Sequence, residues 1–533
     1  MSPEPLIADP ESDPTATWAL DPGMVRRLTG RIVTRPGAEQ VTTRAPFTGA
    51  PLASVPQSTP DDVQAAVARA RSVQPSWAAR SVRDRAAVLL RLHDLVLRRQ
   101  DEVLDLMQLE AGKARLHAYE EIADVAINAR WNAVHGRRLL ADERHRGLVP
   151  GLTQVREVHH PRGVVGIIAP WNYPLTLAVS DTLPALLAGN AVVLKPDTRT
   201  CLTALWAAEL LAEAGLPDGV LQVVVGDGPV IGTAVVDTCD SVCFTGSTAT
   251  GRTVAARAGG RLIGASLELG GKNVLHVARD ADLDRAAEAA VRDCFSNVGQ
   301  MCVSAERLVL DETIADAFLD RFLARVRRLR LGSALDWSAD LGCLIDVGHA
   351  ERVRAHVDDA VARGARVLVG GTLRPDLGPS FFEPTVLDGV PAGATCRTTE
   401  TFGPVVSVYR VSSDAEAVAL ANDTGYGLNA SVWTRDLRRG ALIARQLQTG
   451  TVAVNEAYIA TWASTRTPMG GRKASGLGRR HGASGLLRFT EQQSIVVQHV
   501  TGFGLLYAQG GQRFSALMTG TLKLAKAARL PWP

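Results

Sequence analysis

Three residues of this chain are of types, and in surroundings, that could attack a carbonyl carbon and stabilise what results. Cys302 closes the run Gly299-Gln300-Met301-Cys302, where a small, flexible stretch gives way to the apolar text Arg307-Leu308-Val309-Leu310. A thiolate is a strong nucleophile, although a lone cysteine is by default a small buried hydrophobe. Its company therefore decides the reading. Glu268 stands between Leu267 and Leu269 and ahead of Gly270-Gly271, an unfavourable place for a charge. Either it snorkels out of a strand, or it is a base whose pKa is raised in a dry cleft. Asn172 lies between Pro170 and Pro174, soon after the apolar run 164–168. A rigid amide donor there suits an oxyanion.

These residues are far apart in sequence, so a scaffold must bring them together. Val164-Val165-Gly166-Ile167-Ile168 reads as a buried parallel strand, and similar runs recur at 191–194, 220–225 and 241–244 between helix-like Ala/Leu stretches. A second alternating set covers 307–310, 365–369, 405–408 and 451–454. Strand–helix alternation at this spacing predicts βαβ units. The fold class is α/β, with two parallel-sheet lobes dividing near Gly270-Gly271. The ends of parallel strands, where Asn172 falls, are where such folds place ligands. Residues 61–140 read as helices. Val63, Ala66, Val67 and Ala70 share one face of the first, and Ala86, Val88, Leu89, Leu92, Leu95 and Val96 continue the pattern in the next.

With 533 residues, two or three domains are expected. A net charge of +3 with no block of like charge in the body argues against a nucleic-acid partner. The arginine runs at 325–330 and 435–439 read as solvated helix faces. Seven sparse cysteines point to a reducing, cytoplasmic setting rather than a disulfide scaffold. Cys239 and Cys243 lack the second pair a zinc site needs, so no metal is expected. The N-terminus does not read as a signal peptide, and no apolar run reaches the roughly 18 residues a membrane span requires.

From about Pro46 to Ile495 the chain resembles the aldehyde dehydrogenase superfamily. The motifs that carry the resemblance are Glu110-Ala111-Gly112-Lys113, Pro170-Trp171-Asn172-Tyr173-Pro174, Lys195-Pro196, Phe244-Thr245-Gly246-Ser247, Glu268-Leu269-Gly270-Gly271-Lys272, Gly299-Gln300-Met301-Cys302, Glu400-Thr401-Phe402-Gly403-Pro404, Pro468-Met469-Gly470-Gly471 and Ser475-Gly476-Leu477-Gly478-Arg479. Each is weak alone; in this order they are specific. The resemblance implies that Cys302 attacks an aldehyde to form a thiohemiacetal whose oxyanion is held by Asn172 and the Cys302 N–H. Hydride then leaves for a nicotinamide, and Glu268 acts through water on the thiol and later on the thioester. It implies a Rossmann-like cofactor lobe (21–140 and 160–270) and a catalytic lobe (271–460). It also implies a small β element (141–159 and 480–500) that joins subunits into a homodimer or homotetramer. Residues 1–20 read as a flexible lead-in.

The segment Gly246-Ser247-Thr248-Ala249-Thr250-Gly251 follows a strand and precedes a helix. A helix N-terminus there offers N–H groups to pyrophosphate, although a common tight turn has the same text. The resemblance favours the cofactor reading. It assigns the two riboses to Lys195 and Glu400 and nicotinamide packing to Phe402, with Trp171 and Leu269 in the same set. Lys272 and Asn273 are implied to be structural. NAD-preferring relatives often carry Glu three residues after the Lys; here Thr198 stands there with Arg199 beside it. A hydroxyl and a guanidinium suit a 2′-phosphate. NADP is therefore expected, with NAD as the other cofactor.

The wording is most similar to an actinobacterial succinate-semialdehyde dehydrogenase branch. Well-understood members carry an Arg six residues before the nucleophile and another shortly after the Asn motif. Here those places hold Ser296 and the Arg-free stretch 175–181. Arg292 or Arg466 would have to substitute, and surface placement competes for both. Trp171, Tyr173, Tyr458 and Trp462 suggest an aromatic tunnel for apolar aldehydes, against ordinary core packing. Met301 and Val303, which flank the thiol, complete the expected substrate pocket. Residues 501–533 form a basic extension whose 514–530 part places Phe514, Leu517, Met518, Ala525 and Ala528 on one helical face. Contact with an anionic membrane surface competes with packing on the body or on a partner. A catalytically silent relative would be expected to have lost Cys302, Glu268 or Asn172. A cysteine hydrolase would need a histidine near the cleft, and His159 and His160 sit on the presumed bridging strand.

Overall fold

In the computed structural model, residues 20–147, 153–499, 504–508 and 510–529 are described. The expected lead-in therefore lies, but for Leu20, outside the described residues.

The run 164–168 is the strand Val164–Ile168, buried at every position. It sits inside a six-stranded sheet of order Gly476–Leu477, Gly264–Glu268, Ser241–Thr245, Val164–Ile168, Ala191–Lys195, Leu221–Val223. All neighbours are parallel except the Gly476–Leu477 edge. Unbroken apolar text is what a parallel strand covered on both faces requires. The helices Pro60–Ala78 and Val82–Arg98 help to cover it. All the apolar positions read onto their inner faces are buried in one core with the sheet. Thr59 and Asp62 form a reciprocal cap at the start of the first helix.

The second sheet has seven strands, in the order Arg366–Val369, Thr385–Asp388, Val405–Val411, Ala305–Asp311, Asn273–Val277, Asn429–Trp433, Thr451–Val454. Only the first pairing is antiparallel. Three of its strands escaped the sequence reading because polar residues interrupt their apolar text. Inside Asn273–Val277, for example, the His276 ring is paired with the Val309 carbonyl.

Thr153–Pro161 pairs antiparallel with both Glu143–Arg146 and Thr490–Gln498. The expected boundary at 480 needs correction. Leu486 and Phe489 are buried in the first core, so this third sheet resumes only at Thr490. In the extension, Gly511–Ala527 is helical. Phe514 and Met518 are half-buried and Ala525 is buried, whereas Leu517 and Ala528 on the same face are exposed. Among the described residues, no helix is long and apolar enough to cross a membrane.

Candidate active site

A strained loop presents Cys302. The helix Leu283–Phe295 stops where Ser296 turns extended. Asn297, Val298 and Gly299 follow with φ of 50°, 57° and 70°. A β-branched valine rarely adopts this left-handed conformation, and it persists only where its surroundings impose it. Asn297 Nδ2 donates to the carbonyls of Asn172 at 3.1 Å and Gln300 at 3.2 Å. Gln300 Oε1 accepts from the Ile345 N–H at 2.9 Å. A Cβ on Gly299 would lie 2.1 Å from the Gly403 carbonyl oxygen, so only glycine fits. Asn273 Nδ2 donates to the carbonyls of Cys302 at 2.7 Å and Ser304 at 2.8 Å, fixing the loop from behind.

The Cys302 thiol opens onto a cavity of about 180 Å³ that it shares with Asn172, Tyr173, Met301, Tyr458 and Trp462. Asn172 Nδ2 donates to the Gln300 carbonyl at 3.0 Å; an amide nitrogen carries a second hydrogen, available to a developing oxyanion. Cys302 alone among the seven cysteines is only half-buried; the other six are buried. Desolvation, and after it the negative charges of Glu400 and Glu268, push its thiol up to about 12. It is therefore protonated at neutral pH and needs a base.

Glu268 is that candidate. It ends the strand Gly264–Glu268 and is buried, and desolvation lifts its carboxyl to about 7 against the opposing pull of Arg480 and Arg488. Its Oε1 has no hydrogen-bond partner. A side chain at Gly470 would place a Cβ 3.0 Å from that oxygen.

The expected cofactor residues gather at the carboxyl ends of the first sheet's strands. The chain runs outward from Val164–Ile168 first to one side and then to the other, which opens a crevice at that switch point. Trp171 follows the central strand and Lys195 ends the next, while Gly246 and Ser247 follow Ser241–Thr245. Ser247 Oγ caps the helix Thr248–Gly260 by accepting from the Thr250 N–H at 3.2 Å. Leu269 packs where a Cβ on Gly251 would lie 2.4 Å from its methyl carbon, which brings the helix start close to the sheet. Glu400 Oε1 accepts from the Gly271 N–H at 2.8 Å, and a Cβ on Gly270 would meet its other oxygen at 2.2 Å. Phe402, at φ 54°, has its ring edge-on to Trp171 with centroids 5.7 Å apart. A helix N-terminus, two glycines that admit close backbone approach and a buried lysine fit a dinucleotide.

Three expectations change. Arg199 is not free for a phosphate: it pairs with Asp197 at 3.0 Å and Asp346 at 2.7 Å and stacks over Trp171 at 5.3 Å. Thr198 opens the short helical turn after Lys195, beside Arg199. Trp171 packs with Phe402 and His349 on the cofactor side rather than lining the tunnel. Val303 is fully buried in the second core, because the turn that exposes Cys302 directs its neighbour inward.

Neither substitute arginine reaches the cavity. Arg292 pairs with Glu288 and Glu456 at its own helix end, and Arg466 is exposed. Instead the helix Arg115–Leu139 contributes Glu120, Asp124 and Ile127 to the lining. Their three- to four-residue spacing is the only signal in the sequence, and two acids on an inward stripe read as a solvated face. Tyr458 donates its hydroxyl hydrogen to Glu120 at 2.9 Å and Trp462 Nε1 donates to Asp124 at 2.7 Å. Another unforeseen role belongs to Glu110, whose buried carboxylate accepts from the Leu202 and Thr203 N–H groups and caps the helix after Lys195.

A nucleotide crevice, a cavity that holds a thiol, and a buried carboxyl whose charge that thiol feels are the arrangement of an enzyme that oxidises an aldehyde through a covalent intermediate. Residues 33–495 match the aldehyde dehydrogenase family, and the chain belongs to it. A Mycolicibacterium smegmatis protein provisionally named succinate-semialdehyde dehydrogenase (NADP(+)) is 52% identical over 477 residues, covering 90% of this chain and 92% of its own. The succinate-semialdehyde dehydrogenase (NADP(+)) GabD of Escherichia coli K12 is 36% identical over 458 residues, covering 85% and 93%. A crystal structure of an NADP-dependent enzyme of E. coli superposes with a TM-score of 0.83 at 35% identity, covering 86% of this chain and 95% of that one.

Proposed function

We propose that the chain oxidises succinate semialdehyde to its carboxylic acid with NADP. The single observation that carries aldehyde oxidation is the placement of Cys302: the one half-buried thiol shares a cavity with Asn172 and lies near a carboxyl titrating at about 7. The thiol proton passes through water to Glu268, and sulfur attacks the aldehyde carbon to form a thiohemiacetal. Asn172 and the Cys302 N–H hold the oxyanion. The bound nicotinamide, when present, supplies the hydride acceptor. Glu268, having released the thiol proton to solvent, then takes a proton from the water that attacks the thioester; the carbon–sulfur bond breaks, the Cys302 thiolate recovers a proton and the acid leaves. Lys195, Glu400, Phe402, Trp171 and the Gly246–Gly251 turn would hold the cofactor, with Thr198 at the 2′ position.

The names of the relatives support the substrate and the phosphate form of the cofactor. Glu120, lifted to about 7 by desolvation, is half protonated at neutral pH, and its protonated form offers the far end of a substrate a hydrogen bond. A second reading, an apolar aliphatic or aromatic aldehyde, is favoured by the absence of Lys or Arg from the cavity lining and by the Leu177, Ile459 and Trp462 walls. Initial rates with succinate semialdehyde, butanal and benzaldehyde, each with NAD and NADP, decide between them. The highest kcat/KM is expected for succinate semialdehyde with NADP. A tenfold advantage for either other aldehyde would replace it with the second reading.

The same proposal includes a cytoplasmic homodimer or homotetramer joined through the third sheet, whose edge strand exposes Ile495, Val496 and Val497. The terminal helix, with Leu522 and Leu524 exposed beside Lys523 and Lys526, supports peripheral contact with an anionic membrane. Truncation at about residue 500 should abolish partitioning onto anionic vesicles.

A further inference from the structure

Behind Glu268 lies a buried ionic cluster that the reaction above does not use. Arg480 donates to Asp181 at 2.9 Å and to the Thr245 hydroxyl at 3.2 Å. Thr245 stands directly opposite Glu268 on the neighbouring strand. Arg488 pairs with the other Asp181 oxygen and donates to the Ser266 hydroxyl. Ser266 lies two residues before Glu268 and so on the same face of its strand. Both guanidiniums therefore border the strand face that carries the base. Arg480 is 3% exposed and Asp181 2% exposed. Arg488 is half-buried at the edge of the cluster, whereas Arg480 and Asp181 are buried, and an ionised Glu268 would complete the balance of two cations against one anion. Each Nε of the two arginines and Glu268 Oε1 lack hydrogen-bond partners, so the cluster is not closed on itself.

A buried charge without a counter-charge is costly, and after Asp181 the acid whose charge bears most on Arg480 is the base. We propose that Arg480, held by Asp181, is a positioning residue for Glu268: its buried positive charge favours the carboxylate form of the base, and Asp181 limits that pull. The other groups around Glu268 are Arg488 and Arg479, which act in the same sense as Arg480, and the Cys302 and Cys243 thiols, both protonated at neutral pH. The neighbouring His481 ring is neutral, being pushed down to about 3 by burial.

The inference rests on Glu268 being the base, and its test separates the two ideas. The pH profile of kcat/KM is measured on the full-length enzyme with NADP, for the parent, Glu268→Gln, Arg480→Gln, Arg480→Lys and Asp181→Asn, with folding checked by thermal melting. Glu268→Gln should remove the acid limb; an unchanged limb there would reject the base itself. Arg480→Gln should move the limb to higher pH by a unit or more, which is about a tenfold loss of rate at fixed acid pH. Arg480→Lys should restore it. Asp181→Asn should move it the opposite way, because two guanidiniums then act unopposed. A limb that stays put, or that moves the same way in both charge variants, overturns the proposal. Should Arg480→Gln not fold, the downward shift in Asp181→Asn decides alone.

Discussion

Lys113 Nζ donates to the backbone carbonyl of Asn172 at 2.8 Å. The same ammonium pairs with Glu121 and lies 4.1 Å from the centre of the Tyr173 ring. Glu121 in turn accepts from the Leu175 and Thr176 N–H groups at 2.9 Å. A wholly buried ion pair thus fixes the turn that carries the oxyanion donor. Lys113→Met leaves Glu121 buried without its counter-charge and should cost about 3–5 kcal/mol. Chemical denaturation should show that loss, and kcat should fall with it as Asn172 loosens.

Cys302 should be modified alone. The other six cysteines are buried, so iodoacetamide is expected to add one group per folded chain, mapped to Cys302 by mass spectrometry. Burial raises the thiol's pKa, so its thiolate fraction, and with it the alkylation rate, should climb as the pH is raised toward 12. Cys302→Ala should neither be alkylated nor oxidise aldehyde.

The pH dependence has a definite sign. The base works as a carboxylate and burial lifts it to about 7, so activity is present above that value and lost below it. At pH 6, kcat/KM should be about a tenth of its plateau. A limb near the ordinary carboxylate range would count against burial of the base.

On the proposed function Thr198 meets the 2′ position without help from Arg199, which pairs with Asp197 and Asp346. Thr198→Glu should lower kcat/KM with NADP about tenfold or more, through repulsion of the 2′-phosphate, and leave NAD much less affected. Equal losses with both would remove Thr198 from that role.

What the sequence disclosed, and what it hid, follows from range. The strand at 164–168 and the helix faces at 63–70 and 86–96 were legible because burial on both faces, or on one face, writes itself into local periodicity. Cys302, Glu268 and Asn172 stood out through their improbable neighbours. The strand Asn273–Val277 stayed hidden because its polar residues are satisfied by partners from other strands. Arg199 looked free because Asp346 is far away in the chain. Glu120 and Asp124 drew no reading of their own because only the fold brings Tyr458 and Trp462 to them.

The contact between Gly299 and the Gly403 carbonyl leaves no room for a methyl group. It joins the stretch before the thiol to the stretch just after Phe402, one belonging to the chemistry and the other to nucleotide recognition. A residue larger than glycine at 299 would have to push apart the thiol's loop and the segment that carries Phe402, so one substitution there would disturb two sites at once.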